Sequence, residues 1–283
     1  MKKKVTTHSI LKMKRSGEKI AAVTSYDFLS TKLIDETGID LILVGDSLGM
    51  VIMGYENTIP VTMEEMIHHL KAVTRAKPSA MVAGDMPFMS YQASVEDAVR
   101  NAGRLVKEGG AESVKLEGGR RYVPVVEAIV HASIPVIGHL GLTPQSLHQM
   151  GGYRIQGRDD ESAARMVEDA VALEKAGCYS IVLEGIPSEL AQRITERVSI
   201  PTIGIGAGAN CDGQVLVLHD MLGIHDRPLP RFVKVYDALG DRIRDAVGEY
   251  VEEVKTGKFP SMEHTYVFPK KKDGSASGDD DNN

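Results

Sequence analysis

Eight short apolar runs recur along this chain, and each is followed by a polar or glycine-rich turn. They are IAAVTS (20–25), LILV (41–44), AMVA (80–83), SVKL (113–116), PVI (135–137), SIVL (180–183), PTIGI (201–205) and VLVL (215–218). Continuous runs rich in Val, Ile and Leu suit strands buried on both faces of a parallel sheet, whereas a half-exposed antiparallel strand would alternate with polar residues. Helix-like segments lie between them. The sequence TMEE at 62–65 reads as a capping box that opens a helix through about residue 76. SVED at 94–97 opens another, with Ala98, Leu105 and Val106 facing inward and Gly109 as its stop. Further helices are expected over 159–176 and 232–255. Eight strands alternating with helices predict a single-domain α/β fold, a (β/α)8 TIM barrel over residues 1–269 with an N-terminal segment and a C-terminal helix. Periodicity alone does not close a sheet, so a doubly wound sheet remains the alternative at this point. The tail 270–283, KKDGSASGDDDNN after Lys270, is low in complexity and expected to be disordered.

Composition removes several functions. The 283 residues carry a net charge of -6, and the lysines at 2–4 and 270–272 sit at the two ends, so no basic face is offered to nucleic acid. No segment approaches the ~18 consecutive apolar residues that span a bilayer. The N-terminal stretch lacks the apolar core of a signal peptide, which predicts a cytoplasmic protein. Cys178 and Cys211 form neither a CxxC pair nor a zinc spacing, and they read as packed thiols in a reducing compartment.

The chemistry concentrates where the apolar runs end. Gly45-Asp46-Ser47 follows LILV, Gly84-Asp85 follows AMVA, and Glu117-Gly118-Gly119 follows SVKL, which itself contains Lys115. Gly138-His139 follows PVI, and Glu184-Gly185 follows SIVL. A parallel barrel brings all its C-terminal strand ends to one face, the face where barrel active sites lie. Each residue taken singly has a bland reading. An Asp at a strand end is often a helix cap, Glu117 could pair with Arg120 or Arg121, and His139 could be a buried histidine bonded to backbone. Five such residues on one rim argue against coincidence, because unpaired buried charges are costly. Crowded carboxylates repel one another, and a cation relieves this. Two Asp and a Glu, all hard oxygen donors, suit Mg²⁺, with Asp46 and Asp85 as direct ligands and Glu117 either a ligand or the partner of a metal-bound water. His68 and His69 fall within a helix and look peripheral. The long connection over 139–159, with glycines at 151, 152 and 157, is a candidate lid.

At these residues the sequence closely resembles the ketopantoate hydroxymethyltransferase family. The matching stretches are VTSYD, LVGDSLGMVIMGYENTIPVTMEEM, AGDMPFMSY, VKLEGG, PVIGHLGLTPQS, VLEGIP, TIGIGAG and CDGQVLVLHDMLG, from about residue 6 to 264. The resemblance implies transfer of a hydroxymethyl group from 5,10-methylenetetrahydrofolate to 3-methyl-2-oxobutanoate, giving 2-dehydropantoate on the route to pantothenate and coenzyme A. It implies Asp46 and Asp85 as magnesium ligands with Glu117 as the third acidic position of the metal site. It also implies Asp46, Ser47, Asp85, Lys115 and His139 as substrate contacts and Glu184 as the proton acceptor. A homo-oligomer, commonly a decamer, is implied as well. The folate site is expected only to face the same rim. Ile10, Leu11 and Met13 are expected to cover the barrel floor or to meet neighbouring chains.

Two other readings compete. Barrels of the phosphoenolpyruvate mutase and isocitrate lyase type also bind Mg²⁺ and a 2-oxo acid. The lyases among them resemble a pattern with Cys-Gly-His after the fourth strand, where this chain has Glu117-Gly118-Gly119-Arg120-Arg121. A non-catalytic metabolite-binding barrel is the second rival, disfavoured by an intact ligand set beside a spare base.

Overall fold

The computed structural model describes residues 3–267. In chain order the elements are α1 (Thr7–Ser16), β1 (Ile20–Thr24), α2 (Phe28–Glu36), β2 (Leu41–Val44), α3 (Leu48–Val51), α4 (Met63–Arg75), β3 (Met81–Asp85), α5 (Val95–Lys107), β4 (Ser113–Lys115), α6 (Val123–His131), β5 (Val136–Gly141), α7 (Leu147–Met150), α8 (Asp160–Lys175), β6 (Ser180–Glu184), α9 (Ser188–Arg197), β7 (Thr202–Ile205), β8 (Gly213–Leu216), α10 (Leu218–Met221) and α11 (Leu239–Thr256). The eight strands close into a barrel in sequence order, with every neighbouring pair parallel and β8 returning to β1. The expected (β/α)8 barrel is the observed fold, and the open doubly wound sheet is excluded.

The period of two along each strand sorts the core into two sets. Ile42, Val44, Val82, Val114, Val136, Ile181 and Leu183 pack outward among the buried faces of the helices. Ile20, Ala22, Leu41, Leu43, Met81, Ala83, Ile137, Val182, Ile203 and Val215 pack together in a second cluster, the barrel interior. The same parity carried one step further reaches Asp85, Lys115, His139 and Glu184. The polar site is therefore the top layer of the barrel interior.

Ile10 and Met13 of α1 belong to that interior cluster and are almost fully buried, so the N-terminal segment covers the floor, the first of its two expected roles. Burial of such side chains contributes about 1.5–3 kcal/mol each. The helix is closed onto the barrel by Lys14, whose Nζ lies 2.8 Å from Asp212 Oδ2 in a half-buried ion pair.

Helix starts follow the expected chemistry. Thr62 and Glu65 form the reciprocal capping box at α4, and Ser94 and Asp159 cap α5 and α8 through the backbone N–H of Asp97 and Ser162. Two boundaries differ from expectation. β8 begins at Gly213 and ends at Leu216, because Leu218 already starts α10, its N–H donating to Thr24 Oγ1 at 3.0 Å. The last helix starts at Leu239 instead of 232, because the preceding chain runs irregularly, with Tyr236 N–H donating to Met221 O at 2.7 Å. The described residues form two compact units, divided between Asp237 and Ala238. The barrel lies wholly in the first. In the second, α11 exposes Ile243, Val247, Tyr250 and Val254 at helical spacing and ends at Gly257, whose φ of 71° is left-handed. The tail expected to be disordered, 270–283, lies outside the described residues.

Cys178 and Cys211 are free and buried. Among the described residues no helix is long and apolar enough to cross a membrane.

Candidate active site

All seven residues singled out from the sequence, Asp46, Ser47, Asp85, Lys115, Glu117, His139 and Glu184, line one cavity of about 1020 Å³ at the C-terminal end of the barrel. Register explains part of the convergence. Asp85 of β3 is the direct partner of Lys115 on β4, and Gly141 of β5 is the partner of Glu184 on β6.

On one side of the cavity Lys115 Nζ lies 2.7 Å from Asp85 Oδ1, with both side chains buried. Asp85 Oδ2 accepts a hydrogen bond from the Asp46 backbone N–H at 3.0 Å. Gly45 makes room for this turn, since a Cβ there would lie 2.9 Å from Ser47 Oγ and 3.3 Å from Asp85 Oδ2. Ser47 is held by the Tyr26 hydroxyl at 2.8 Å. On the other side His139 stands between two carboxylates, with Nδ1 3.5 Å from Glu117 Oε1 and Nε2 3.2 Å from Glu184 Oε2. Neither ring nitrogen is aligned for a hydrogen bond among the described residues, so these are charge contacts. Gly141 lets β5 run close to Glu184: its φ is 95°, and a Cβ there would lie 2.1 Å from the Glu184 carbonyl oxygen.

The bland readings fail on this geometry. Arg120 pairs with Glu168 and Asp169 and leaves Glu117 alone. Asp46 and Asp85 cap no helix, since α3 has no side-chain cap bond and Asp85 is engaged by Lys115 and Asp46. His69 is peripheral as expected, its Nδ1 2.7 Å from the Tyr26 carbonyl oxygen.

Electrostatics set what the site can hold. Four carboxylates face one ammonium and one imidazole in a buried space. Burial, then Asp85 and Glu117, push the Asp46 pKa up to about 8. Burial and Lys115 oppose a charge on His139, but Glu117 and Glu184 outweigh both and push its pKa up to about 9. Burial likewise opposes the Lys115 charge, and Asp85, Glu117 and Asp46 overcome it. Glu117 Oε1 is buried without a hydrogen-bond partner among the described residues. The carboxylates outnumber the ammonium and the imidazole, and burial with Asp85 and Glu117 holds a proton on Asp46 at neutral pH; a divalent cation with oxygen ligands would take the place of that proton. Among the described residues no group of three or more His, Cys, Asp or Glu side chains is already gathered as a metal cage. Mg²⁺ does not require one, since it typically takes one or two carboxylates and completes its shell with water and substrate.

Sequence reasoning missed the group that joins the two sides. Gln145, buried in the turn after β5, donates from Nε2 to Asp46 Oδ2 at 2.9 Å and from its backbone N–H to Glu117 Oε2 at 3.0 Å. The Tyr91 hydroxyl lies 3.0 Å from both Gln145 Oε1 and the Glu117 carbonyl oxygen. A loop glutamine carries no periodic signal, and only the GLTPQS stretch pointed towards it.

A family model described as Ketopantoate hydroxymethyltransferase matches residues 4–262. The chain belongs to this family. The 3-methyl-2-oxobutanoate hydroxymethyltransferase of Syntrophus aciditrophicus (strain SB) is 57% identical over 265 residues, covering 94% of this chain and 97% of that protein. The protein of the same name from Pelobacter propionicus (strain DSM 2379 / NBRC 103807 / OttBd1) is 58% identical over 266 residues, with 94% and 98% covered. Among solved structures, phosphonopyruvate hydrolase aligns with a TM-score of 0.61 at 11% identity, covering 92% of each chain. A 2,3-dimethylmalate lyase of the PEP mutase/isocitrate lyase superfamily aligns at 0.57 and 19% identity, covering 92% of this chain and 91% of that one. At such identities these structures share the barrel with this family member and nothing finer. The rival lyase type is thus near in fold, while the sequence family is that of the hydroxymethyltransferases.

Proposed function

We propose that this chain transfers a hydroxymethyl group from 5,10-methylenetetrahydrofolate to 3-methyl-2-oxobutanoate, giving 2-dehydropantoate and tetrahydrofolate with consumption of water. The observation that carries the reading is a division within the acid cluster. Asp46, Asp85 and Glu117 are tied to Lys115 and Gln145, whereas Glu184 is more exposed to the cavity and, among the described residues, its side chain meets His139 alone.

The substrate's carboxylate and ketone oxygens would sit by Asp46 and Asp85, the proposed magnesium ligands, with Lys115 supplying a cation to the carboxylate and the Ser47 segment closing the turn. Bound there, Mg²⁺ would polarise the ketone and offset the charge that develops on its oxygen. Glu117 would hold the metal directly or through water. Glu184 would take the proton from C3, a transfer that needs a carboxylate oxygen within about 2.6–3.2 Å of the carbon-bound proton's donor atom. His139, charged at neutral pH, would orient Glu184 and face the substrate. The deprotonated C3 then forms its bond to the folate's methylene carbon, both bonds from that carbon to folate nitrogens break, water provides the hydroxyl oxygen, and the C3 proton and one proton of the water end on the two nitrogens of tetrahydrofolate. Incubation with both substrates and Mg²⁺ tests the whole reading by formation of 2-dehydropantoate. A chain that makes none is another kind of barrel.

Asp85→Ala is expected to weaken Mg²⁺ binding by at least the ~10–100-fold that loss of an outer-shell partner costs. Calorimetric titration with Mg²⁺ measures this, and unchanged affinity would remove Asp85 from the ligand set. The 139–159 connection is proposed as a lid, because Leu142, Tyr153, Arg154 and Ile155 line the cavity from it. Its cleavage by a protease should slow when both substrates are bound; an unchanged rate would discard the lid. The reading also carries a cytoplasmic setting and a homo-oligomeric assembly, the latter supported by the exposed apolar stripe of α11.

A further inference from the structure

Five carboxylates line the cavity: Asp46, Asp85, Glu117, Glu184 and Asp220. The proposed chemistry uses four of them. Asp220, in the VLVLHDMLG stretch, has no task in it. The position is nevertheless built. α10 is set against β1 by the Leu218 N–H bond to Thr24 Oγ1 at 3.0 Å, and Thr24 lines the same cavity. Asp220 is 5% exposed, and its Oδ1 has no hydrogen-bond partner among the described residues. Arg227 places Nη2 3.9 Å from Oδ1, close enough to favour the charge and too far to satisfy the oxygen. A buried carboxylate oxygen left open costs stability, and a ligand with matching donors recovers it.

We infer that Asp220 anchors the pterin ring of the one-carbon donor, its carboxylate accepting paired hydrogen bonds from N3–H and the 2-amino group. This inference rests on the function proposed above, which requires a reduced folate in the cavity. The chemistry of the ring selects the partner. A 2-aminopyrimidin-4-one edge presents two adjacent N–H donors, and a carboxylate presents two acceptors at the matching spacing, the arrangement that makes bidentate pairs strong and directional. The volume agrees, because a cavity of about 1020 Å³ is far larger than a five-carbon oxo acid requires and lies at the upper end for drug-sized ligands. Arg154 and Arg231 line the same cavity and offer charges to the folate's anionic tail.

The test is calorimetric titration of tetrahydrofolate into the full chain with Mg²⁺ and 3-methyl-2-oxobutanoate present. Asp220→Asn keeps the shape but turns one acceptor into a donor that faces a ring donor, so Kd is expected to rise by about 100-fold or more. A tetrahydrofolate analogue lacking the 2-amino group should bind the parent chain at least ~10-fold more weakly, while Asp220→Asn should discriminate between the two ligands by less than about threefold. Affinity for 3-methyl-2-oxobutanoate should stay within about threefold of the parent, since among the described residues no hydrogen bond or ion pair joins Asp220 to Asp46 or Asp85. Tetrahydrofolate binding unchanged by Asp220→Asn overturns the inference, and so does a parent chain that binds no tetrahydrofolate. Loss of oxo-acid binding together with folate binding also overturns it, assigning Asp220 to support of the barrel top. The proposed reaction is judged separately: absence of magnesium-dependent deuterium exchange at C3 in the parent chain would refute that reading, whatever the folate result.

Discussion

Glu184→Gln is expected to lower turnover ~10³–10⁴-fold, the upper part of the range for loss of a positioned acid or base, while leaving affinity for 3-methyl-2-oxobutanoate nearly intact. The amide keeps the size of the side chain and removes the basic oxygen. The most direct measurement is deuterium exchange at C3 with Mg²⁺ and no folate, which isolates proton removal from carbon–carbon bond formation. Both rates should fall together. A second consequence follows from the contact between Glu184 Oε2 and His139 Nε2 at 3.2 Å. Glu184 is one of the two groups that push the His139 pKa up to about 9, so the imidazole of the variant should titrate lower, visible as a shifted histidine resonance in an NMR pH titration. Exchange at the parent rate would take the base role from Glu184 whatever the histidine does. A histidine unshifted in an inactive variant would keep the base assignment and remove the coupling.

The rim was legible because a parallel barrel converts sequence position into spatial position. Every C-terminal strand end lies on one face, so residue type and strand end together placed Asp46, Asp85, Lys115, Glu117, His139 and Glu184 in one cavity before any contact was known. The pairing inside that cavity was not legible. Asp85 meets Lys115 because β3 and β4 are in register at those residues, and register follows from the closure of all eight strands. Gln145 reaches Asp46 across 99 residues only because the turn after β5 folds back over the site, and no local propensity encodes that path. The missed boundaries share one cause. Leu218 is as apolar as a strand residue, and residues 232–238 are compatible with helix, yet tertiary hydrogen bonds to Thr24 and Met221 decide both. Asp220 was visible within a matching stretch, but its open oxygen is a property of packing and not of sequence.

Lys115→Met tests the charge balance on which the metal assignment depends. Lys115 and Asp85 are buried 2.7 Å apart, and Lys115 is among the groups that hold the Asp46 pKa down, although burial, Asp85 and Glu117 still raise it to about 8. Removing the ammonium leaves Asp85 buried without its cation. The metal-free variant is expected to be less stable by about 3–5 kcal/mol in urea unfolding, the cost of breaking one side of a buried pair. Affinity for the oxo acid should fall roughly 10–100-fold, the value of a charge-assisted hydrogen bond to its carboxylate. Magnesium should act in the opposite direction. With one fewer positive charge beside Asp46 and Asp85, the variant should bind Mg²⁺ more tightly than the parent, and saturating Mg²⁺ should raise its Tm by more. The two effects have different origins and can be separated. A metal-free variant as stable as the parent would mean that Asp85 gives up its charge with Lys115 by taking a proton, as Asp46 already does, which denies the negative charge invoked for a divalent ion. A destabilised variant that gains no more from Mg²⁺ than the parent would place the metal away from Asp85 and leave Lys115 as a structural partner alone.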